Sequence, residues 1–236
     1  MVPTAQHFDY KKVLGVDVDV YHTTSSASGG KSPVIIFLHG GRFVLGNKSA
    51  MPRYLEEVAR REWILVSANY RLAPQTPLRE IYKDVVDVVA QIPPVVVETP
   101  FEINPATGGP YFQKSASHPR YQLFAFANKN GCSLQMMTGL DPNSEAEISK
   151  FKDISPLNQI HANYPPTYLV HGDADTMVIP EHSLNMKKAL ENADRKVRLE
   201  IKSHVFDFDI RYGSEEYQAY LAPMFGFLEL EFNLVK

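Results

Sequence analysis

The chain contains very little cysteine and no long apolar run. Its 236 residues include one cysteine, Cys132, which excludes an internal disulfide. No apolar run is long enough to cross a membrane, and residues 1–10 contain none that is typical of a signal peptide. From these absences the sequence predicts a cytoplasmic protein without a membrane span.

No charge of one sign dominates the sequence either. The formal net charge is −3, so nothing indicates a nucleic acid or an anionic membrane as partner. Hydrophobic residues make up 44% and charged residues 22%, values typical of a soluble globular protein with a sizeable core. The length predicts a single domain over residues 1–236. The sequence predicts no cofactor and no metal site, and it leaves the oligomeric state open.

Apolar periodicity predicts strands that alternate with helices. The predicted strands are residues 13–21, 33–38, 63–68, 95–97, 166–170 and 197–201, and the predicted helices are residues 51–61, 77–92, 120–128, 144–151, 181–193 and 214–234. This order predicts an α/β fold with a mostly parallel sheet flanked by helices. The uninterrupted apolar run at 33–38 predicts a central strand buried on both faces. Residues 101–163 begin with a segment rich in Pro, Gly and Ser. We predict that this range forms a cap or lid insertion.

The tripeptide His39-Gly40-Gly41 follows the second predicted strand, at the sheet edge where open α/β sheets bind ligands. Glycines at such an edge let backbone N–H groups approach a ligand and stabilise a developing oxyanion. A tight strand-to-loop turn that requires glycine is the alternative interpretation.

Two further candidates follow later strands. Asp175 lies just after the strand at 166–170, and a carboxylate there can orient a histidine and stabilise its charge. His204 follows the strand at 197–201. Taken singly, the first could be a turn aspartate and the second a histidine packed near an aromatic ring. Their order after the oxyanion candidate matches the chain order of α/β-hydrolases, in which the acid precedes the histidine.

Together these motifs resemble a known family, the hormone-sensitive-lipase-like carboxylesterases, including its fungal members. The resemblance rests on His39-Gly40-Gly41 with Phe43 and Gly46, on Ser67-Ala68-Asn69-Tyr70-Arg71-Leu72-Ala73-Pro74, on Asp84, on His171-Gly172-Asp173-Ala174-Asp175 with Val178-Ile179-Pro180, and on His204 with Phe206. It implies an α/β-hydrolase fold and hydrolysis of a small acyl ester.

The resemblance also implies roles for four residues. Gly40 and Gly41 would supply the N–H groups of the oxyanion hole, Asp175 would be the acid, and His204 would be the general base. The segment 101–163 would be the lid that shapes an acyl or alcohol pocket.

Two small departures from the family pattern lie near these residues. Arg42 stands where relatives often carry a third glycine or another small or aromatic residue, and Ser203 stands where they often carry glycine. The first departure puts the shape of the oxyanion hole in doubt.

The large departure is the missing nucleophile. The family places a Gly-x-Ser-x-Gly elbow between the helix that here ends near Ile92 and the next strand, but the sequence continues directly into Pro93, and the chain contains no such motif. Ser28, Ser133 and Cys132 are the loosest substitutes, and each lies at the wrong place in the strand order. The nucleophile is therefore unknown, and one central strand–helix unit is predicted to be absent.

Three interpretations follow from this gap. The chain is a carboxylic-ester hydrolase in a shortened form, as a skipped exon or a wrong gene model would produce. Alternatively, it is a non-catalytic relative that binds a small ester or another hydrophobic ligand. In the third interpretation the Asp175–His204 dyad activates water or abstracts a proton without a covalent intermediate.

Overall fold

The structure is a computed structural model that describes residues 4–8, 16–22, 32–49, 57–90, 119–176, 178–203 and 214–231. The strands are β1 (Thr4–Phe8), β2 (Val18–His22), β3 (Val34–Leu38), β4 (Ile64–Ala68), β5 (Thr167–Gly172) and β6 (Val197–Lys202). The helices are α1 (Leu78–Ala90), α2 (Pro119–Lys129), α3 (Ser133–Thr138), α4 (Glu145–Ile154), α5 (Glu181–Asn192) and α6 (Ser214–Glu231), with a 3₁₀ turn at Pro156–Gln159. The predicted alternation is present, whereas β1 and α3 were not predicted and the predicted strand 95–97 lies outside the described residues.

The first four strands form one sheet in the order β1-β2-β4-β3. β3 and β4 are parallel, with Ile35 opposite Leu65. β2 is antiparallel both to β4 and to β1. The antiparallel strands thus extend one side of a parallel pair, an arrangement common in large α/β sheets.

The buried central strand of this sheet is β4. All five of its residues are buried, whereas those of β3 are half-buried and Leu38 is 42% exposed. The prediction that residues 33–38 form the strand buried on both faces is therefore wrong. The reason is tertiary: among the described strands, β4 lies between β2 and β3, and β3 pairs with β4 alone.

One face of this sheet is covered by α1. Its Val88 packs into a buried cluster with residues of β2 and β4, which include Val20 and Val66. Other residues of α1 face solvent despite being apolar, since Val86 is 63% and Val89 57% exposed.

A second sheet consists of the parallel pair β5 and β6, connected through α5. Leu169 lies opposite Leu199 in this pair. The buried side chains Leu190 on α5 and Phe225 on α6 contribute to its core. The two parallel pairs and the helices beside them confirm an α/β fold that contains parallel strands.

The chain divides into two compact units, Met1–Glu147 and Ile148–Lys236. The single domain over residues 1–236 stays a prediction. The helices α2 and α3 of the predicted cap belong to the first unit, where Leu123, Met136 and Met137 pack against buried Val44 and Ile81. Across the residues that the structure describes, no helix is long and apolar enough to span a membrane.

Candidate active site

The loop after β3 is a compact turn built around two glycines. Gly41 has a φ of +115° and Gly46 a φ of +98°, a region that residues with a side chain rarely adopt. A Cβ on Gly41 would lie 2.3 Å from the carbonyl oxygen of Leu45, and a Cβ on Gly46 would lie 2.3 Å from His39 Nδ1. The N–H groups of Val44 and Leu45 both donate to the carbonyl of Gly41, each at 3.0 Å. The tight-turn interpretation of this tripeptide therefore holds, and it is compatible with an oxyanion hole in the same loop.

The stacked rings of His39 and Tyr70 support this turn. The imidazole of His39 stacks on the ring of Tyr70, with centroids 4.2 Å apart, and the Tyr70 hydroxyl donates to the His39 carbonyl at 2.5 Å. His39 Nδ1 lies 2.8 Å from the carbonyl oxygen of Gly40, which can only accept, so Nδ1 carries the proton. Burial lowers the pKa of His39, which favours the neutral ring. The ring thus holds the loop without placing a charge beside it, while Gly40 itself is exposed.

The far end of the loop is tied to the sheet by Lys48. Its ammonium group donates to the carboxylates of Asp17 and Asp19, at 2.7 Å for the latter. Its backbone N–H donates to Asn69 Oδ1 at 2.8 Å, and its carbonyl accepts from the hydroxyl of Ser67 at 2.6 Å. Both ends of the glycine turn are therefore anchored by polar contacts to β2 and β4 or to the residues that flank them.

Arg42 points toward the helices of the predicted cap. Its backbone has a φ of +51°, and its guanidinium donates to Asn128 Oδ1 and lies 5.7 Å from the ring centroid of Phe124, both on α2. A second arginine, Arg120, donates from the start of α2 to the carbonyl of Val44 at 3.0 Å. The departure from the family pattern at Arg42 thus forms a contact between the loop and α2.

The motif Asn69-Tyr70-Arg71-Leu72-Ala73-Pro74 has a structural role. Arg71 donates to the fully buried carboxylate of Asp84 from Nε at 2.8 Å, from Nη2 at 2.7 Å and from its backbone N–H at 3.2 Å. This pair fastens the segment after β4 to α1. It lies inside the fold and takes no part in the proposed chemistry.

Asp175 lies in a short loop after β5, where the sequence predicts an acid. Its Oδ1 accepts from the backbone N–H of Val178 at 2.9 Å, and its Oδ2 lies 3.6 Å from His171 Nε2. The side chain of Asp175 is 9% exposed. The imidazole of His171 is itself held by Val178 O and by Ser183 Oγ, each at 2.7 Å.

Sequence reasoning missed the contact between His171 and Ser183. The two residues are twelve positions apart and lie on a strand and a helix, so no local periodicity connects them. Their meeting depends on how α5 packs against β5.

The remaining predicted residues are placed only in part. His204 and Ser28 lie outside the described residues, as does the junction of Ile92 with Pro93. The pairing of Asp175 with His204 and the oxyanion role of Gly40 and Gly41 therefore stay predictions.

The two substitutes for a nucleophile that are described have other surroundings. Cys132 is half-buried just before α3, and the Ser133 hydroxyl donates to Asn128 Oδ1 at 3.4 Å. Neither residue follows a strand, so neither has the strand-to-helix geometry of a nucleophile elbow. In the described ranges, no three His, Cys, Asp or Glu side chains are grouped as metal ligands.

Comparison with protein families gives two matches. Residues 35–98 match the family described as the alpha/beta hydrolase fold, and residues 122–232 match the prolyl oligopeptidase family. The first range contains the glycine turn, and the second contains Asp175 and His204.

Three individual proteins illustrate the similarity. Probable carboxylesterase 6 from Arabidopsis thaliana is 39% identical over 70 residues, which are 28% of this chain and 21% of that protein. Esterase LipQ from Mycobacterium tuberculosis is 24% identical over 211 residues, which are 75% of this chain and 50% of that protein. Among solved structures, esterase B from Lactobacillus rhamnosis superimposes with a TM-score of 0.65 at 15% identity, over 99% of this chain and 89% of that chain. The matches thus span between a fifth and a half of the length of these two sequence relatives, and the structural match shows the α/β-hydrolase fold.

Proposed function

Because the chain belongs to the carboxylesterase-type α/β-hydrolases related to hormone-sensitive lipase, we propose that its site is built for a small acyl ester. We also propose that this polypeptide lacks the serine needed to hydrolyse such an ester. The observation that carries the proposal is the glycine turn after β3. Its two positive-φ glycines and the buried His39 are compatible with an oxyanion loop, and the sequence contains no Gly-x-Ser-x-Gly motif.

In the proposed site, Gly40 and Gly41 direct backbone N–H groups at the carbonyl oxygen of the bound ester. As negative charge develops on that oxygen, these dipoles stabilise it. Asp175 orients His204, which is the general base of the family and in this polypeptide has no serine to activate. Two similar structures support a short acyl chain: esterase B is described as inhibited by a tributyrin phosphonate, and esterase 2 of Thermogutta terrifontis as bound to butyrate.

The missing Gly-x-Ser-x-Gly motif determines what this polypeptide can do with such an ester. Serine catalysis needs a hydroxyl beside the base and the oxyanion donors, and removal of a triad serine leaves only the small rate supplied by the oxyanion hole and binding. The chain therefore binds a small ester or another hydrophobic ligand of that size without forming an acyl-enzyme.

The test is an assay of the purified chain with short p-nitrophenyl esters beside the variant His204→Ala. We expect equal rates for the two proteins and no covalent labelling by a fluorophosphonate probe, since no activated serine is available. Stoichiometric labelling of one serine, located by mass spectrometry, would overturn the proposal. A rate for the unmodified chain well above that of His204→Ala, without labelling, would instead support water activation by the dyad.

A further inference from the structure

A chain of hydrogen bonds in the second unit leads from α5 to the acid of the proposed site. Ser183, in the first turn of α5, contacts His171 at the end of β5, and His171 contacts Val178 in the loop between them. Val178 in turn donates its backbone N–H to the carboxylate of Asp175 at 2.9 Å. Four residues from a strand, a loop and a helix are thereby connected.

The proton positions along this chain follow from the chemistry of the partners. The carbonyl oxygen of Val178 can only accept, so Nε2 of His171 carries a proton and donates to it at 2.7 Å. In the neutral imidazole, Nδ1 then accepts from the hydroxyl of Ser183, also at 2.7 Å. The carbonyl of Val178 therefore selects the tautomer, and the serine hydroxyl on the other nitrogen helps to fix the orientation of the ring.

We infer that Ser183 and His171 are positioning residues that hold the carboxylate of Asp175 through Val178, an assignment that rests on the proposed role of Asp175 as the acid. His171 fixes the carbonyl of Val178, and the N–H of the same residue fixes Oδ1 of Asp175. The Nε2–H group of His171 also faces Oδ2 at 3.6 Å, which is too long for a hydrogen bond but favours a negative oxygen there. The side chains of His171 and Asp175 are 10% and 9% exposed, whereas Val178, which links them, is 43% exposed.

Loss of the serine hydroxyl has a specific consequence. Without it, Nδ1 loses its donor and the ring can turn, which releases the carbonyl of Val178. The loop then no longer presents its N–H at a fixed place, which weakens one of the contacts that orient the carboxylate of Asp175. The effect reaches Asp175 although Ser183 has no contact with it in this network.

Two measurements on the full chain test the inference with the variants Ser183→Ala, Ser183→Thr and, as a matched control in the same turn, the exposed His182→Ala. The first is the rate of amide hydrogen exchange at Val178. We expect this rate to be about tenfold higher in Ser183→Ala, because the Val178 N–H is then held less firmly against the charged carboxylate of Asp175. The amide of Asp173, which donates to Lys202 O at 2.8 Å, should keep its rate. Ser183→Thr should restore slow exchange at Val178, and His182→Ala should leave it unchanged.

The second measurement is the low-field proton resonance of an imidazole N–H bonded to a carboxylate, assigned to His204 by its loss in His204→Ala. We expect Asp175→Asn to abolish this resonance and Ser183→Ala to shift or abolish it, with Ser183→Thr as the rescue. A purely structural serine would leave the resonance in place once the variant is folded.

The outcomes separate the two claims. If Val178 exchange and the resonance are both unaffected in folded Ser183→Ala, the positioning role is wrong, and the proposed function stands. If Val178 exchange accelerates but Asp175→Asn has no effect on His204, the positioning of Asp175 is right, and its role as the acid for His204 is wrong.

Discussion

At the scale of single residues, the glycine turn shows how backbone conformation selects the sequence. Gly41 and Gly46 combine a positive φ with a close neighbour at the place where a Cβ would lie. Gly131 also has a positive φ, of +65°, but no described atom lies within 4 Å of its added Cβ. The comparison of Gly46 with Gly131 separates backbone strain from steric overlap.

We expect Gly46→Ala to lower the free energy of unfolding by about 2–4 kcal/mol, since strain at positive φ and overlap with the His39 ring add. Gly131→Ala, the matched control, should cost about 1–2 kcal/mol from strain alone. Urea unfolding followed by circular dichroism measures both values. Equal costs for the two variants would show that the close approach to His39 is relieved without penalty.

The pKa of His39 predicts a pH dependence of stability. Burial is the larger cause and lowers the folded-state pKa, although the hydrogen bond to Gly40 O opposes it. Since the unfolded chain then binds this proton more readily, the contribution to stability is complete above the unfolded pKa of about 6.5 and is lost as the pH falls below that value toward the folded pKa.

The urea midpoint of the unmodified chain should therefore decrease between about pH 7.5 and about pH 5.5, and that of His39→Gln should decrease less. The difference between the two slopes isolates His39 from the other titrating groups. Parallel slopes would mean that the ring takes up a proton in the folded state as easily as in the unfolded state.

At the scale of elements, the contact between Arg71 and Asp84 fastens the segment after β4 to α1. The carboxylate is fully buried, and it accepts three hydrogen bonds from one arginine. Removing one member of a buried ion pair leaves the other without compensation, which costs more than the pair contributed. On the same helix, Lys83 and Glu80 form a pair that is largely exposed.

We expect Asp84→Asn to destabilise the fold by about 2–4 kcal/mol, somewhat less than a fully buried pair would lose because Arg71 is 28% exposed. The control Lys83→Gln should leave the urea midpoint unchanged, since exposed pairs contribute little. A midpoint for Asp84→Asn equal to that of the control would show that Arg71 finds another acceptor or reaches water.

At the scale of the whole molecule, the described strands form two sheets, and no described strand joins them. Apolar side chains are exposed in the first unit at Leu38, Val86 and Val89. A strand–elbow–helix unit inserted after Ile92 would add a central strand and more apolar cover to such a fold. We therefore propose that such a unit would cover the apolar residues exposed in the first unit.

Restoring this unit from the genomic sequence should raise the melting temperature, reduce binding of an apolar dye such as ANS, and confer hydrolysis of short p-nitrophenyl esters. Each effect follows from burial of apolar area and from the regained Gly-x-Ser-x-Gly serine. The unmodified chain is the control for all three measurements. A restored chain with a lower melting temperature and unchanged dye binding would contradict the account of the exposed residues.

The origin of the gap is decided by the locus between the codons for Ile92 and Pro93. If an intron or coding sequence lies there, the shortened form arises by splicing or by a wrong gene model. Contiguous codons would exclude that account and leave the non-catalytic interpretation.

The sequence by itself determined most of the succession of strands and helices, though not β1 or α3, together with the glycine turn and the position of Asp175 just after a strand. These features depend on neighbours along the chain. Apolar periodicity reports which face of an element is buried, and a positive φ with no room for a Cβ, as at Gly41 and Gly46, requires glycine. The absence of the elbow motif was likewise evident from the residues alone.

Tertiary structure alone decided that β4 and not β3 is the buried central strand, that Lys48 ties the glycine turn to Asp17 and Asp19, and that Ser183 reaches His171. Each of these features depends on residues that are far apart in sequence. Burial of a strand depends on how many neighbours pair with it, and an ion pair or a hydrogen bond between loops depends on packing that no local pattern encodes.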